Sequence, residues 1–119
     1  MTIQQQINKI KEVILKNPDG CTFDFKGNII NKNNGFFVSI TNIKGKQINH
    51  LIKKLLYIKK TGFKEVKNLN GGCWKDKQNN FYLDLTLYLE DLNLSKEIGN
   101  IFNQQAIFNI KELNSIYLK

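Results

Sequence analysis

The chain has 119 residues, 41% of them apolar, with eight Phe, four Tyr and one Trp, which is the make-up of one globular domain spanning 1–119 and excludes a disordered segment. No apolar run approaches the ~20 residues of a membrane-spanning helix, so no membrane partner is expected. All eighteen basic residues are lysine and the net charge is +8, which favours an anionic partner but provides no arginine fork for bidentate reading of guanine or phosphate.

Thr2 followed by Gln5 forms a capping-box pattern, and Ile3, Ile7, Ile10 and Ile14 keep helical spacing, which predicts a first helix over 3–16, stopped by Asn17-Pro18-Asp19-Gly20. Cys21, Phe23 and Phe25 alternate with Thr22 and Asp24 as a strand would, and a turn-rich tract runs from 26 to 35. Phe36-Phe37-Val38-Ser39-Ile40 reads as a second strand. Ile48, Leu51, Ile52, Leu55 and Ile58 fall on one side of a helix predicted over 45–60, with Gly62 as its C-terminal glycine. A short strand is expected over 63–66, turns at Asn70-Gly71-Gly72 and over 76–80, and a strand where Phe81, Leu83, Leu85, Leu87 and Leu89 alternate with Tyr82, Asp84, Thr86 and Tyr88. A third helix fits 95–103, with Ile98, Ile101 and Phe102 inward, and closing strands fit 106–110 and 115–118. This order predicts an α+β fold, a two-layer sandwich with helices on one face of a mainly antiparallel sheet. Gly20-Cys21-Thr22-Phe23-Asp24 has an echo in Gly72-Cys73-Trp74-Lys75-Asp76.

The charge is concentrated. Ten lysines between 44 and 77 face only Glu65 and Asp76, so this stretch alone carries a charge equal to the net +8. Lys46, Lys53 and Lys60 are seven apart and line up on a helix, with His50 and Tyr57 beside them. A helix face washed only by solvent usually intersperses both signs, so this patch, extended by Lys64, Lys67, Lys75 and Lys77, is a candidate binding surface. Tyr82 and Tyr88 share the polar side of the 81–89 strand with Asp84 and Thr86. That side is either the wet face of an antiparallel sheet or an aromatic platform of the kind on which unpaired bases stack.

Catalytic chemistry finds little to work with. His50 is the only histidine, and with Cys21 and Cys73 it makes at most three scattered metal ligands, so no metal or cofactor is expected. Cys21 shares the face of Phe23 and Phe25, while Cys73, beside Trp74 at a turn, is the more exposed thiol; neither has a flanking base. Glu65-Val66-Lys67 has the Glu-x-Lys spacing of restriction-type nucleases, with Asp24 or Asp84 as a second carboxylate, but three residues in a lysine-rich chain match by chance. The protein is therefore expected not to be an enzyme. With no export signal at its N-terminus, it is expected to be cytoplasmic with reduced thiols.

Gly71-Gly72-Cys73-Trp74-x-Asp76, Phe81-Tyr82-Leu83-Asp84-Leu85 and Asn103-Gln104-Gln105-Ala106-Ile107-Phe108-Asn109, with Gly35-Phe36-Phe37-Val38-Ser39 upstream, resemble a loose group of small phage- and plasmid-encoded proteins. That group carries a Gly-Trp-x-Asp turn, a Tyr-x-Asp strand and an Asn-Gln-x-Ala-Ile-Phe-Asp element. In this chain Cys73 interrupts the Gly-Trp pair and Asn109 stands where Asp is common. The resemblance implies a mobile-element context more than a mechanism; joined to the lysine-rich centre, it leads to the expectation of a protein of anti-CRISPR or anti-restriction type in a bacterial host. It would bind a host protein or protein–nucleic-acid complex such as a CRISPR effector and inhibit or modulate it through the lysine-rich centre. The alternatives are direct, sequence-tolerant binding of DNA or RNA and a small metal-dependent nuclease.

Overall fold

In the computed structural model, which describes residues 1–119, helix α1 (Ile3–Lys16) begins as the local sequence dictates. The Thr2 hydroxyl accepts from the Gln5 N–H at 3.1 Å, and the Gln5 side chain accepts from the Thr2 N–H at 2.8 Å, closing the capping box. Strands β1 (Cys21–Phe23) and β2 (Phe36–Gly45) follow, then α2 (Ile48–Gly62), β3 (Asn70–Lys75), β4 (Phe81–Leu89), α3 (Leu92–Ile101), β5 (Ala106–Asn109) and β6 (Asn114–Tyr117). The unit helix-strand-strand thus occurs three times in succession. The six strands form one sheet in the order β1-β3-β4-β2-β5-β6, with every neighbouring pair antiparallel.

The helices cover one face of this sheet, as expected for an α+β two-layer domain. Ile7, Ile10 and Ile14 of α1 and Leu51, Ile52 and Leu55 of α2 pack on Leu83 and Leu85 of β4, with Phe23, Ile40, Leu69 and Cys73 completing the buried cluster. Ile98 of α3 packs against the same cluster. The alternation over 81–89 is realised in full: the leucines face the helices, and Tyr82, Asp84, Thr86 and Tyr88 face away.

Several sequence expectations are corrected. Strand β2 is ten residues long because it pairs with β4 along its whole length, through a bulge at Ile40, so Lys44 and Gly45 belong to the sheet and α2 starts only at Ile48. Residues 63–66 are bend and turn, not strand. Gly62 is the last helical residue of α2 and is not a left-handed cap. Asn70-Gly71-Gly72 opens β3 where a turn was expected. The two glycines are there for close approach. A Cβ on Gly71 would run into the Phe23 ring, and one on Gly72, on the opposite face, into the Asp84 carboxylate. Helix α3 starts three residues before Ser95, because the Asp91 carboxylate caps it by accepting from the Leu94 N–H at 2.8 Å. Its buried residues are Ser95 and Gly99, while Ile101, expected inward, is 69% exposed and Phe102, also expected inward, is 38% exposed with its ring beside that of Phe63.

The echo seen in the sequence is a repeated turn. Asp24 accepts from the backbone of Lys26 and Asn28 and from the Asn28 amide at 2.9, 3.0 and 3.2 Å. Asp76 accepts from the backbone of Gln78 and Asn80 and from the Asn80 amide at 2.9, 2.9 and 3.0 Å. The fourth residue of each turn, Gly27 and Asn79, has a positive φ.

Candidate functional site

The sheet face turned away from the helices carries no helix, although its centre is closely packed, with Thr86 only 3% exposed, and its side chains come in cross-strand sets. Tyr82 of β4 lies between Trp74 of β3 and Lys44 of β2, Asp84 between Gly72 and Asn42, and Thr86 between Asn70 and Ser39; Tyr88 lies beside Phe37, and Phe37 beside Phe108. Trp74 and Tyr82 stack with ring centroids 4.1 Å apart and planes 4° from parallel, and Trp74 is 50% exposed. Lys44 Nζ lies 5.2 Å from the Tyr82 ring centre, and Lys32 Nζ 4.7 Å from that of Tyr88. Phe37 meets Tyr88 edge-on at 6.0 Å. Each end of β4's outer side therefore carries two aromatic rings and a lysine.

Both tyrosines are fixed by their hydroxyls. Tyr82 donates to Asp76 Oδ2 at 3.0 Å and Tyr88 to the Asn34 carbonyl at 3.0 Å. Desolvation raises the Asp76 carboxyl, but hydrogen bonds from Asn80, Tyr82 and Gln78 together outweigh it and hold the carboxyl down at about 2. The β3–β4 turn thus stays charged at any physiological pH and keeps Tyr82 in register with Trp74.

Between the two ring sets runs a groove of about 500 Å³, walled by Trp74 on one side and Phe37 and Phe108 on the other. Asp84, Ser39 and Thr86 make its polar floor. The Ser39 hydroxyl donates to Asp84 Oδ2 at 2.6 Å, and Ser39 and Thr86 hydroxyl oxygens are 3.5 Å apart. Asp84 Oδ1, folded over Gly72, is shut off from solvent and has no hydrogen-bond partner. Burial pushes the Asp84 carboxyl up to about 6, against the lowering pull of the Ser39 hydrogen bond and of the Thr86 hydroxyl and Gly72 N–H close by. No lysine lines the groove.

Cys21 and Cys73 stand opposite one another across β1 and β3 and are both free thiols. The expectation that Cys73 is the more exposed is reversed: it is 8% exposed, below Cys21. Burial raises both thiols, that of Cys73 to about 12 with the neighbouring Cys21 and Asp84 adding to the effect, so neither is a thiolate nucleophile at neutral pH. Glu65 and Lys67 lie in the turns between α2 and β3, away from the groove that holds Asp84, and no three His, Cys, Asp or Glu side chains converge as a metal-ligand set.

The lysine patch divides in two. Lys46 precedes α2, and its Nζ donates to the Gln78 carbonyl at 3.3 Å, so the three-lysine stripe shortens to Lys53 and Lys60 on the helix. Those two join Tyr57, Lys59 and Lys64 around a hollow between α1 and α2, floored by Ile3 and Leu56. His50 goes with Lys46, Lys44 and Lys54 at the other end of α2. Lys67, Lys75 and Lys77 are exposed on separate turns and on the end of β3, and Lys75 Nζ lies 5.9 Å from the Phe81 ring. The molecule's one ion pair is Lys16–Glu12, so none of the ten lysines of 44–77 is neutralised by a neighbour.

Sequence reasoning placed Tyr82, Tyr88 and Asp84 on this face but missed Trp74, Phe37, Ser39, Phe108, Lys32 and Lys44. The period-2 pattern of 36–40, which sets Phe37 and Ser39 on one side, was a usable signal for two of them. No helix is long and apolar enough to cross a membrane. Comparison with known proteins finds no match among family models, curated proteins or solved structures.

Proposed function

We propose that this chain is a small non-enzymatic protein that binds single-stranded nucleic acid across its open sheet face. The strand would be free or displayed by host machinery, such as a CRISPR effector, that the protein inhibits or modulates. The observation that carries the reading is the pairing of rings with lysines at both ends of β4: Trp74, Tyr82 and Lys44 at one, Phe37, Tyr88 and Lys32 at the other. An unpaired strand offers flat bases to rings and phosphates to ammonium groups, and ring stacking contributes ~1–3 kcal/mol per base whatever the sequence. The unneutralised lysines of 44–77 add attraction that is long-ranged and indifferent to sequence. The host-machinery part of the reading rests on the resemblance to mobile-element proteins.

Trp74 is the only tryptophan and reports on its own surface. Titration with a twelve-residue thymidine strand at low salt is expected to quench its fluorescence. In anisotropy with a labelled strand, Trp74→Ala should weaken binding ~5- to 150-fold, the equivalent of one lost stack. Binding that is absent at low salt, or indifferent to Trp74→Ala, overturns the reading. A pull-down from bacterial lysate separates its two parts: a partner released by nuclease is held through the strand, and one retained is held through protein.

A further inference from the structure

Asp84 is a charge in the wrong place for a surface that attracts phosphates. It sits at the centre of the open face of a +8 protein, in a groove that no lysine lines, with one oxygen unpartnered and buried. The other titratable groups around the groove are Asp19, Cys21 and Cys73, none of them a cation. Nothing in the fold requires a carboxylate there, since a threonine or valine would suit a strand position between Gly72 and Asn42 at least as well. The fold nevertheless makes room for it. The neighbouring strand carries glycine where any Cβ would displace the carboxylate, and β2 brings Ser39 to hold Oδ2.

We infer that Asp84, Ser39 and Thr86 form a base-reading pocket in the floor of the groove, selecting nucleobases that carry an amino group on their pairing edge, cytosine foremost, over thymine and uracil. The inference rests on the nucleic-acid reading above and names which strands that surface prefers. An ionised carboxylate only accepts hydrogen bonds, so it seeks an N–H donor. Ser39 occupies one acceptor position of Oδ2, and with Oδ1 shut away the remaining one on Oδ2 is what the groove presents. Cytosine places its N4 amino group in such a site as the N–H donor that the carboxylate lacks. Thymine and uracil put O4 where the amino group would be, setting oxygen lone pairs against a carboxylate with no proton between them. Trp74 on one wall and Phe37 and Phe108 on the other leave a slot for a flat ring, while the phosphates stay outside with Lys44 and Lys32.

The test compares two labelled twelve-residue strands by anisotropy at pH 7.5, one all thymidine, the other with four thymidines replaced by separated cytosines. The native protein is expected to bind the cytosine-containing strand ~5- to 150-fold more tightly. Asp84→Asn, which can turn an amide N–H toward the base, should bring the ratio to about one. At pH 5, where the native Asp84 carries its proton, the ratio should fall in the same way. This second arm decides the matter if the variant does not fold. Equal affinity of the native protein for the two strands overturns the inference and leaves the nucleic-acid reading standing, whereas failure to bind either strand overturns both. A preference that survives Asp84→Asn or pH 5 also overturns it.

Discussion

An ionised Asp84 works against the stability of its own fold. Its carboxyl is raised from the ordinary 3.8 to about 6, first by burial. Between those two values the folded protein holds a proton that the unfolded chain has released, so the favourable contribution is complete below about pH 4 and is lost as pH rises through about 6. Above that the buried charge costs about 3 kcal/mol, from ~1.4 kcal/mol per pKa unit. Asp84→Asn should therefore melt at a higher temperature than the native protein at pH 7.5, with the margin shrinking through pH 6 and absent by pH 4. A margin that does not change with pH would mean that the charge is not what the substitution removed. A side chain retained at such a cost is expected to be serving a ligand. Its position on the polar side of β4 was legible from the alternation alone. Its burial was not, because that depends on Gly72 beside it and on Ser39, 45 residues away in sequence.

Elements were legible where their signals are local and misread where a partner strand decides. Helix α1 ends where the pattern places it because capping box, isoleucine spacing and the Asn-Pro stop all lie within its own sequence. The start of α2 was misplaced because pairing of β2 with β4 claims Lys44 and Gly45, and Gly71-Gly72 was misread because glycines that make space for Phe23 and Asp84 look the same in sequence as glycines that turn the chain. Strand β4 is the element on which both faces depend, and its residues should separate by role. Leu85→Ala is expected to cost about 2 to 5 kcal/mol in urea unfolding, since a fully buried side chain leaves a cavity under α2. Tyr82→Ala and Tyr88→Ala remove rings open to solvent on one side and should cost less stability while weakening strand binding. If either tyrosine proved as costly as Leu85, the outer face would be part of the core and could not act as a platform. The repeated Asp-to-Asn turn yields a parallel expectation. Asp76→Ala should loosen the β3–β4 turn and change the Trp74 fluorescence, because the same carboxylate holds the Tyr82 hydroxyl beneath that ring. Asp24→Ala, in the twin turn, should leave Trp74 unchanged.

At the scale of the whole molecule the lysines divide between the helical layer and the ring-bearing sheet face, which the sequence could not reveal because it shows charge along the chain and not around the fold. Lys53, Lys60 and Lys64 rim the hollow between α1 and α2 on the helical layer, while Lys44 and Lys32 stand over the rings of the sheet. These two groups should act differently on a bound strand. Lys44→Glu puts a like charge beside the phosphates at the stack, so it should lower affinity and reduce the slope of log affinity against log salt by ~0.7, the share of one phosphate on a single strand. Changing Lys53, Lys60 and Lys64 together to Glu alters net charge three times as much but touches no phosphate on the sheet face. It should slow association at low salt, an effect largely screened at 0.15 M, where the Debye length is ~8 Å. The reverse ranking, with the triple variant abolishing binding and Lys44→Glu leaving it intact, would move the interface to the helices. The tyrosine-and-lysine hollow there, with Ile3 and Leu56 as its apolar floor, would then be the surface that docks on an acidic partner. Titrating both variants against the same strand at two salt concentrations of 0.15 M and above separates these outcomes, because the long-range effect is largely screened there and direct phosphate contact still changes the slope.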